Sequence, residues 1–344
     1  MNNIINKIDT IRYMGNKKKL LEYIVEAVDK VTIPGGTVLD IMSGSNSVGY
    51  GLKNKYRIIS NDIQLYSKVI SDALIVNQSE TISDLSAEED LSKNYYINLK
   101  DKKFNFFEKE YSDTYFSKLQ CIDIDSIRYS IEFIENKFKK SLYLVALMSA
   151  MSTCQSTPGH FAQFMPKNHK RIIPLQKMNL HKEFLKKCNN YSELVFSSYN
   201  NLSFNLDFNE LLDIQDLNID TVYLDSPYTT EQYSRFYHIL ETIVKYDNPV
   251  VEHKAKYRND RFKSNFCYKS LVEKEFRKIF EFCMSNNINL VLSYSNKGVL
   301  QAEILISILK DYFKNVEYQY ISYNHSTQGK GNLPLNELLI ANSN

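Results

Sequence analysis

The chain has 344 residues, of which 43% are hydrophobic and 24% charged, a balance typical of a globular protein with a substantial core. A net charge of +2 neither demands nor excludes a polyanionic partner, so binding to nucleic acid would depend on local basic patches. The five cysteines are widely spaced without a CxxC pair, which argues against a disulfide framework and against a zinc site. We recognise no signal peptide and no apolar run long enough to cross a bilayer, and we expect a cytoplasmic protein.

The first 78 residues alternate helical and strand-like patterns. Apolar side chains recur at helical spacing over residues 16–31, and two short apolar runs typical of buried strands follow at residues 37–42 and 56–60. A second helical pattern covers residues 66–76. This alternation predicts an α/β fold with a doubly wound, mostly parallel sheet.

The middle of the chain differs in composition from the first part. Polar and acidic residues follow Val76, aromatic and lysine-rich stretches alternate further on, and residues 127–151 predict one long buried helix. We interpret residues 79–191 as an inserted, mainly helical subdomain within an α/β domain formed by residues 1–78 and 192–344.

The α/β pattern resumes after this insert. Strand-like runs lie at residues 193–200, 220–225 and 288–295. Helical spacing of apolar residues covers residues 233–246 and 299–313. The last two β segments, residues 316–324 and 336–342, predict an antiparallel pair at the edge of the sheet.

A loop of small residues, "DIMSGSNSV" (residues 40–48), follows the first predicted strand and opens a helix. Such residues allow a close approach of backbone to ligand, and the helix N-terminus favours polar groups. Asp62 ends the second strand, where a nucleotide-binding α/β fold places the acid for ribose hydroxyls. Each feature has an alternative, a plain strand-to-helix turn for the loop and a helix N-cap for Asp62. Together they favour an adenosine-containing cofactor.

Two further stretches carry chemistry. "RYMGNKKKLL" (residues 12–21) clusters cations at a helix start, which suggests an anion to neutralise, although a solvated lysine run is the alternative. "DSPY" (residues 225–228) ends an apolar strand. A carboxylate and a backbone carbonyl in a rigid turn could accept hydrogen bonds from the amine of a nucleobase and so localise its lone pair. The alternative is an Asx-type turn without chemistry.

In their order along the chain, these motifs resemble those of the Dam-type (D12 class) DNA adenine-N6 methyltransferases. "RYMGNKKKLL" is similar to the family's aromatic-x-G-x-K motif, "DIMSGSNSV" to its glycine loop, and "YLDSPYTTEQYSRFYHILET" to its D-P-P-Y motif and following helix. "NELLIAN" is similar to its C-terminal hairpin. The resemblance implies a Rossmann-like methyltransferase fold whose inserted subdomain recognises the target.

The resemblance also implies site residues. It places S-adenosylmethionine against Tyr13, Lys17, Asp40, Gly44, Asp62 and Asp225. It makes Asp225, Ser226, Pro227 and Tyr228 the catalytic turn, with Asp225 and the Ser226 carbonyl accepting hydrogen bonds from the N6 amine and Tyr228 stacking on a flipped adenine. Two positions depart from the family pattern, because Ser226 stands for a proline and Asn46 for a glycine. We expect no metal site, since the six His show no ligand spacing.

Contacts to DNA are predicted from basic and loop residues. The predicted positions are Arg12, His160, Gln163, Lys170, Arg171, Arg235, Lys256, Arg258 and Arg261. Solvated basic loops are the alternative for most of them.

We therefore expect a site-specific methyltransferase that acts on adenine N6 in double-stranded DNA, with S-adenosylmethionine as cofactor, in a restriction–modification or defence system. We expect a monomer or weak dimer without a membrane partner, and a cognate restriction endonuclease is a candidate partner. The alternatives are a catalytically weak DNA-binding relative and a methyltransferase for RNA adenine or cytosine N4.

Overall fold

The computed structural model describes residue 11 and residues 13–166, 168–323 and 335–343. The chain divides into two compact units, each named here by its main content. The sheet unit contains the described residues of Lys17–Lys68, Ser197–Ser234 and Phe262–Asn344. The helical unit contains those of Met1–Asn16, Val69–Phe196 and Arg235–Arg261. The domain boundaries inferred from the sequence stay a prediction.

Strands in the described residues are, in chain order, β1 (Thr37–Asp40), β2 (Arg57–Asn61), β3 (Leu202–Phe204), β4 (Thr221–Leu224), β5 (Val251–Glu252), β6 (Tyr257–Arg258), β7 (Asn289–Ser295), β8 (Asn315–Tyr323) and β9 (Leu335–Ser343). The first helices are α1 (Leu21–Val31), α2 (Ser47–Leu52), α3 (Leu65–Ser71), α4 (Asp84–Asp101), α5 (Phe106–Tyr111), α6 (Lys118–Ile131) and α7 (Lys137–Cys154). They are followed by α8 (Ile172–Gln176), α9 (Leu180–Cys188), α10 (Phe208–Leu212), α11 (Tyr233–Phe236), α12 (His238–Lys245), α13 (Val272–Ser285) and α14 (Ala302–Tyr312). Short 3₁₀ turns cover Lys17–Leu20, Asn189–Tyr191 and Asn265–Cys267, and a π turn covers Asp72–Val76.

Seven strands form one sheet in the order β3-β2-β1-β4-β7-β9-β8. The pairs from β3 to β7 are parallel, whereas β9 runs antiparallel to both β7 and β8. The α/β prediction and the antiparallel pair at the edge are confirmed. From β1 the sheet is extended first on one side, by β2 and β3, and then on the other side, by β4 and β7. The carboxyl ends of β1 and β4 therefore flank a topological switch point, which is where open α/β sheets bind ligands.

The two faces of the sheet differ in chemistry. One face carries apolar side chains such as Leu39, Val222 and Leu292, which pack in one core with α13 and α14. Side chains alternate along a strand, so the opposite face carries the residues between them. At the carboxyl ends of the strands this second face is polar, with Asp40 in β1 and Ser293 in β7, both buried.

The helical unit packs around α7, whose residues from Ser141 to Met151 are all buried. The prediction of one long helix over residues 127–151 is wrong, because α6 ends at Ile131 and α7 begins only at Lys137. The Asn136 side chain accepts hydrogen bonds from the amides of Phe138 and Lys139 and so caps a new helix. No helix among the described residues has the length and apolarity of a membrane span.

Two further predicted elements are shifted or broken. The strand predicted at residues 193–200 lies instead at β3, and just before β3 the Asn201 side chain accepts a hydrogen bond from the Ile58 amide (2.8 Å). The helix predicted over residues 233–246 breaks at Tyr237, whose backbone is not helical. The Phe236 carbonyl accepts a hydrogen bond from the Phe161 amide (2.8 Å) of a distant loop.

That loop, residues 155–165, is anchored inside the helical unit. The hydroxyl of Tyr115 lies 2.7 Å from the carbonyl oxygens of both Phe161 and Ala255. The His238 Nε2 lies 3.0 Å from the Phe161 carbonyl oxygen, and burial lowers the pKa of His238 to about 3. A neutral imidazole therefore holds the loop in place at any ordinary pH.

Arg258 is an internal structural residue of the helical unit rather than a surface cation. Its side chain is 2% exposed, and its guanidinium donates two hydrogen bonds of 2.7 Å to Asp247 and two of 2.8–3.0 Å to Asp260. Hydrogen bonds from Arg258 lower the pKa of both carboxyls. The prediction that Arg258 contacts DNA is therefore corrected, since its side chain is buried and four of its five N–H donors already bind carboxylates.

We expect Arg258→Met to lower the free energy of unfolding by about 1.5–3 kcal/mol, the range for hydrogen bonds to charged groups. Chemical denaturation of the whole chain measures this change. The control is Arg277→Met, which removes an exposed pair with Glu273 within α13 and should change stability by about 0.5 kcal/mol or less. A variant at Arg258 no less stable than this control would contradict the structural role.

Candidate active site

The loop after β1 turns at two residues with left-handed backbone angles. Gly44 has φ +50° and Asn46 has φ +59°. Asparagine tolerates this region better than most residues with a side chain, and the Asn46 amide nitrogen donates to the Ser67 carbonyl at 2.8 Å. Asparagine in place of glycine therefore leaves this turn intact.

Asp40, Gly44 and Asp62 meet at the ends of β1 and β2, as the sequence predicts. The Gly44 amide donates to Asp62 Oδ2 and the Gln64 amide to Asp62 Oδ1, both at 2.9 Å, so the carboxylate is held at the loop. The amide of Gly49 donates to the Asp40 carboxylate, yet the buried Asp40 Oδ1 has no hydrogen-bond partner among the described residues.

Charge repulsion shapes this corner of the sheet unit. Burial raises the pKa of Asp40 well above its ordinary value, and the nearby carboxylates of Asp225 and Asp62 raise it further. An unpartnered buried oxygen between two other acids is costly in the absence of a donor or a cation. The corner is thus suited to a ligand that carries hydrogen-bond donors or positive charge.

Lys17 lies between two carboxylates. Its ammonium is 3.0 Å from Asp225 Oδ1 and 2.7 Å from Glu337 Oε1, and its side chain is only 3% exposed. Burial by itself would lower the pKa of Lys17, but the carboxylates of Asp225 and Glu337 raise it well above its ordinary value. Lys17 is therefore a fixed positive charge at the carboxyl end of β4.

The turn after β4 holds the predicted catalytic residues together. Burial raises the pKa of Asp225 to about 6, Lys17 opposes that shift and Glu337 adds to it. The Tyr228 carbonyl accepts a hydrogen bond from the Val299 amide at 3.0 Å, and the centroid of the Tyr228 ring lies 5.3 Å from the Lys17 ammonium.

The two residues between Asp225 and Tyr228 differ in exposure. Ser226 is buried, and its hydroxyl has no partner among the described residues. Pro227 joins these two positions and is partly exposed.

Three polar residues of this site were not predicted from the sequence. Glu337 in β9 accepts a hydrogen bond from Lys17, and the Ser293 hydroxyl in β7 donates to the same Glu337 Oε1. Tyr223 precedes Asp225 by two residues on the same strand face, and its buried hydroxyl has no partner among the described residues. The sequence feature that could have identified Glu337 as a site residue is its place as a single acid at the start of the apolar run "ELLIA".

Tyr13 lies in the helical unit. Its ring stacks on Tyr237 with centroids 4.5 Å apart, and the Met14 amide donates to the Tyr237 hydroxyl at 2.6 Å. The Asn16 amide donates a hydrogen bond to the Tyr13 carbonyl at 3.3 Å and so closes a turn. Gly15 lies in that turn with φ +76°, a backbone angle that favours glycine. The motif glycine is therefore explained by the turn. The role of Tyr13 toward a cofactor stays a prediction.

The predicted DNA contacts are distributed over the helical unit. Gln163, Lys170, Arg171 and Arg235 are exposed, whereas Arg12 lies outside the described residues.

Four of these positions have partners within the unit. Arg235 and Arg261 flank Tyr257, with guanidinium carbons 5.3 and 4.7 Å from its ring centroid. Lys256 pairs with Glu110 at 3.4 Å, and His160 Nδ1 accepts from the Ala162 amide at 3.2 Å. Since each contact leaves some side-chain surface exposed, these residues remain candidates for DNA binding, unlike Arg258.

Comparison with known proteins agrees with this geometry. Modification methylase LlaI of Lactococcus lactis subsp. lactis is 29% identical over 352 residues, which cover 96% of this chain and 54% of that protein. Modification methylase StsI of Streptococcus sanguinis is 30% identical over 317 residues, covering 88% of this chain and 46% of that protein. This chain thus spans about half the length of these two relatives.

A relative of similar length is type II methyltransferase M2.HphI of Haemophilus parahaemolyticus, which is 27% identical over 343 residues, covering 95% of each chain. The sequence model for D12 class N6 adenine-specific DNA methyltransferases matches residues 13–299, which include Lys17, the Asp40 loop and the Asp225 turn. The chain therefore belongs to the D12 class N6 adenine-specific DNA methyltransferase family.

Proposed function

We propose that this chain transfers a methyl group from S-adenosylmethionine to the N6 amine of a flipped adenine in double-stranded DNA at a specific site. The observation that carries the proposal is the turn after β4, where Asp225 is held by Lys17 beside Tyr228, next to the orphan carboxylate oxygen of Asp40. The names of the relatives, modification methylases and type II methyltransferases, support a role in restriction–modification.

The residues of the corner fit S-adenosylmethionine. Asp40 offers an unpartnered acceptor, Gly44 leaves room for a ligand close to the backbone, and Asp62 is oriented by two amides at the end of β2. A cation offsets the repulsion among Asp40, Asp62 and Asp225. When bound, the cofactor supplies a methyl group activated by a sulfonium. Tyr13 and Lys17 remain proposed contacts to it.

The turn after β4 suits an exocyclic amine. The Asp225 carboxylate and the Ser226 carbonyl accept hydrogen bonds from its two N–H groups and thereby localise the nitrogen lone pair. Replacement of the family's proline by Ser226 keeps that carbonyl. Tyr228 offers a ring face, and base–aromatic stacking is worth about 1–3 kcal/mol. Holding the amine in line with the methyl group accounts for most of the rate in this proposal.

DNA contacts are assigned to the helical unit, with residues 79–191 as the proposed recognition subdomain. The proposed contacts are Arg12, His160, Gln163, Lys170, Arg171, Arg235, Lys256 and Arg261. We propose that the protein acts in the cytoplasm as a monomer or weak dimer, with a cognate restriction endonuclease as its functional counterpart.

Asp225→Asn should lower methyl transfer by about 10²-fold or more, because the neutral amide loses the negative charge that strengthens the hydrogen bond from the amine. Purified chain, labelled cofactor and mixed-sequence genomic DNA serve as the assay, and nucleoside mass spectrometry identifies N6-methyladenine. Cofactor binding measured by calorimetry should persist. The control is Asp220→Asn, which changes an acid at the amino end of the same strand that accepts from the Thr37 amide (2.7 Å). Full activity of the Asp225 variant would refute the mechanism.

The methylation rate of the parent chain should fall about tenfold per pH unit below about pH 6. The pKa of Asp225 is raised to about 6, so its carboxyl is protonated below that pH and no longer accepts from the amine. Single-turnover rates between pH 5 and 8 measure this limb. A flat profile over that range would show that the ionisation of Asp225 does not limit the reaction.

Lys170→Gln combined with Arg171→Gln should weaken DNA binding and reduce the slope of log K against log salt by about 1–2, as two lost phosphate contacts predict. Fluorescence anisotropy at several salt concentrations gives the slope. Lys310→Gln with Lys314→Gln is the matched control, because Lys310 lies in the last turn of α14 and Lys314 directly precedes β8, which starts at the amino edge of the sheet. An unchanged slope in the first variant would remove this loop from the interface.

A further inference from the structure

Glu337 is a second buried carboxylate at the site that neither the motif nor the proposed chemistry requires. It lies near the start of β9 and is 2% exposed, whereas its neighbours Leu338 and Ile340 belong to the apolar core on the opposite face. Charged groups are almost never fully buried unless they are paired. The position of Glu337 in the antiparallel edge of the sheet therefore calls for a reason.

A continuous chain of polar contacts joins Glu337 to the reactive turn. The Ser293 hydroxyl donates to Glu337 Oε1 at 2.5 Å, the Lys17 ammonium donates to the same oxygen at 2.7 Å, and Lys17 also contacts Asp225 Oδ1 at 3.0 Å. All four residues lie in the sheet unit. The contacts cross from β7 and β9 to the end of β4 on the polar face of the sheet.

Stability alone does not explain this arrangement. One ammonium shared by two buried carboxylates leaves a net negative charge, and taking such charges out of water costs several kcal/mol per ion. What the chain of contacts supplies is geometry, because Glu337 and Ser293 fix the ammonium on one side of Asp225. Asp225 Oδ2 has no hydrogen-bond partner among the described residues and is left for another donor.

We propose that Glu337, oriented by Ser293, is a positioning residue that holds Lys17 on Asp225 Oδ1 and thereby presents Asp225 Oδ2 to the target amine. The inference rests on the proposed methyl transfer and adds a requirement for the antiparallel edge of the sheet. Glu337 acts through Lys17 and does not itself contact the reacting atoms.

The charge of Glu337 also sets how readily Asp225 accepts a hydrogen bond. Burial raises the pKa of Asp225, and of its charged neighbours Lys17 lowers it while Glu337 raises it again. The other groups that face this turn are the hydroxyls of Tyr223 and Tyr228, whose pKa values are raised by burial, and the carboxyl of Asp40. Since the tyrosines are neutral at ordinary pH and burial raises the pKa of Asp40 well above its ordinary value, Glu337 supplies the negative charge that acts on Asp225.

The test compares the parent chain with Glu337→Gln, which keeps the shape and removes the charge. We expect the maximal methylation rate to fall roughly tenfold to 10²-fold and the acid limb of the pH profile to move about one pH unit lower. A ¹³C NMR titration of the Asp225 carboxyl carbon, assigned by its loss in Asp225→Asn, should show the same downward shift. This second readout does not depend on activity.

Two further variants separate position from charge. Ser293→Ala keeps the Glu337 charge but frees its carboxylate, so the rate should fall while the acid limb stays in place. Glu275→Gln is the matched control, because it alters an equally buried glutamate, paired with Lys278 at 3.0 Å in α13. It should leave both the rate and the pH profile unchanged. Should Glu337→Gln fail to fold, Ser293→Ala carries the test through its rate.

The outcomes distinguish the inference from the function on which it rests. If the parent chain methylates DNA and Glu337→Gln matches it in rate and in the Asp225 titration, the inference is overturned and the function stands. If the parent chain transfers no methyl group, the proposed function fails. The NMR titration then still decides whether Glu337 acts on Asp225, since equal pKa values in both chains would exclude it.

Discussion

Parallel pairing of β1 with β4 is the contact on which the site depends. The register aligns Asp40 with Tyr223, so the acid that ends β1 and the turn that follows β4 open at the same edge of the sheet. On the other side of β1, β2 brings Asp62 to the same edge. Because the carboxyl ends of parallel strands meet there, three acids that are separated along the sequence converge at one edge of the sheet.

Bringing these three acids together costs electrostatic free energy, and only a few groups of the protein offset it. Lys17 neutralises part of the charge at Asp225, and backbone amides hold Asp40 and Asp62. The apolar face of the same sheet carries none of these groups, because alternation along each strand separates the two kinds of side chain. A site so rich in buried acid and unpartnered oxygen is poorly satisfied by the protein alone, which is the physical basis for proposing a cationic, donor-rich ligand.

Sequence reasoning succeeded where local pattern and motif agreed. The parallel sheet, its antiparallel edge, the Asp40 loop and the Asp225 turn all follow from apolar runs and from motif order. It failed where a distant group decided the local structure. A loop amide on the Phe236 carbonyl breaks the helix predicted through Tyr237, and Asn136 caps a new helix inside the run of residues 127–151 that was predicted to be one helix. Arg258 was predicted to contact DNA because it lies in a basic run interleaved with aromatic residues, yet its buried guanidinium binds Asp247 and Asp260.

The sequence by itself determined the fold class and the family, and it predicted the residues of the Asp225 turn, because those depend on periodicity and on spacing within short segments. Only the tertiary structure decided which charges meet. The pairing of Lys17 with both Asp225 and Glu337 joins the start of the described chain to the end of it, and no local pattern specifies such a contact. The same holds for the unpartnered oxygen of Asp40, since burial and the absence of a donor among the described residues become visible only once the strands are assembled.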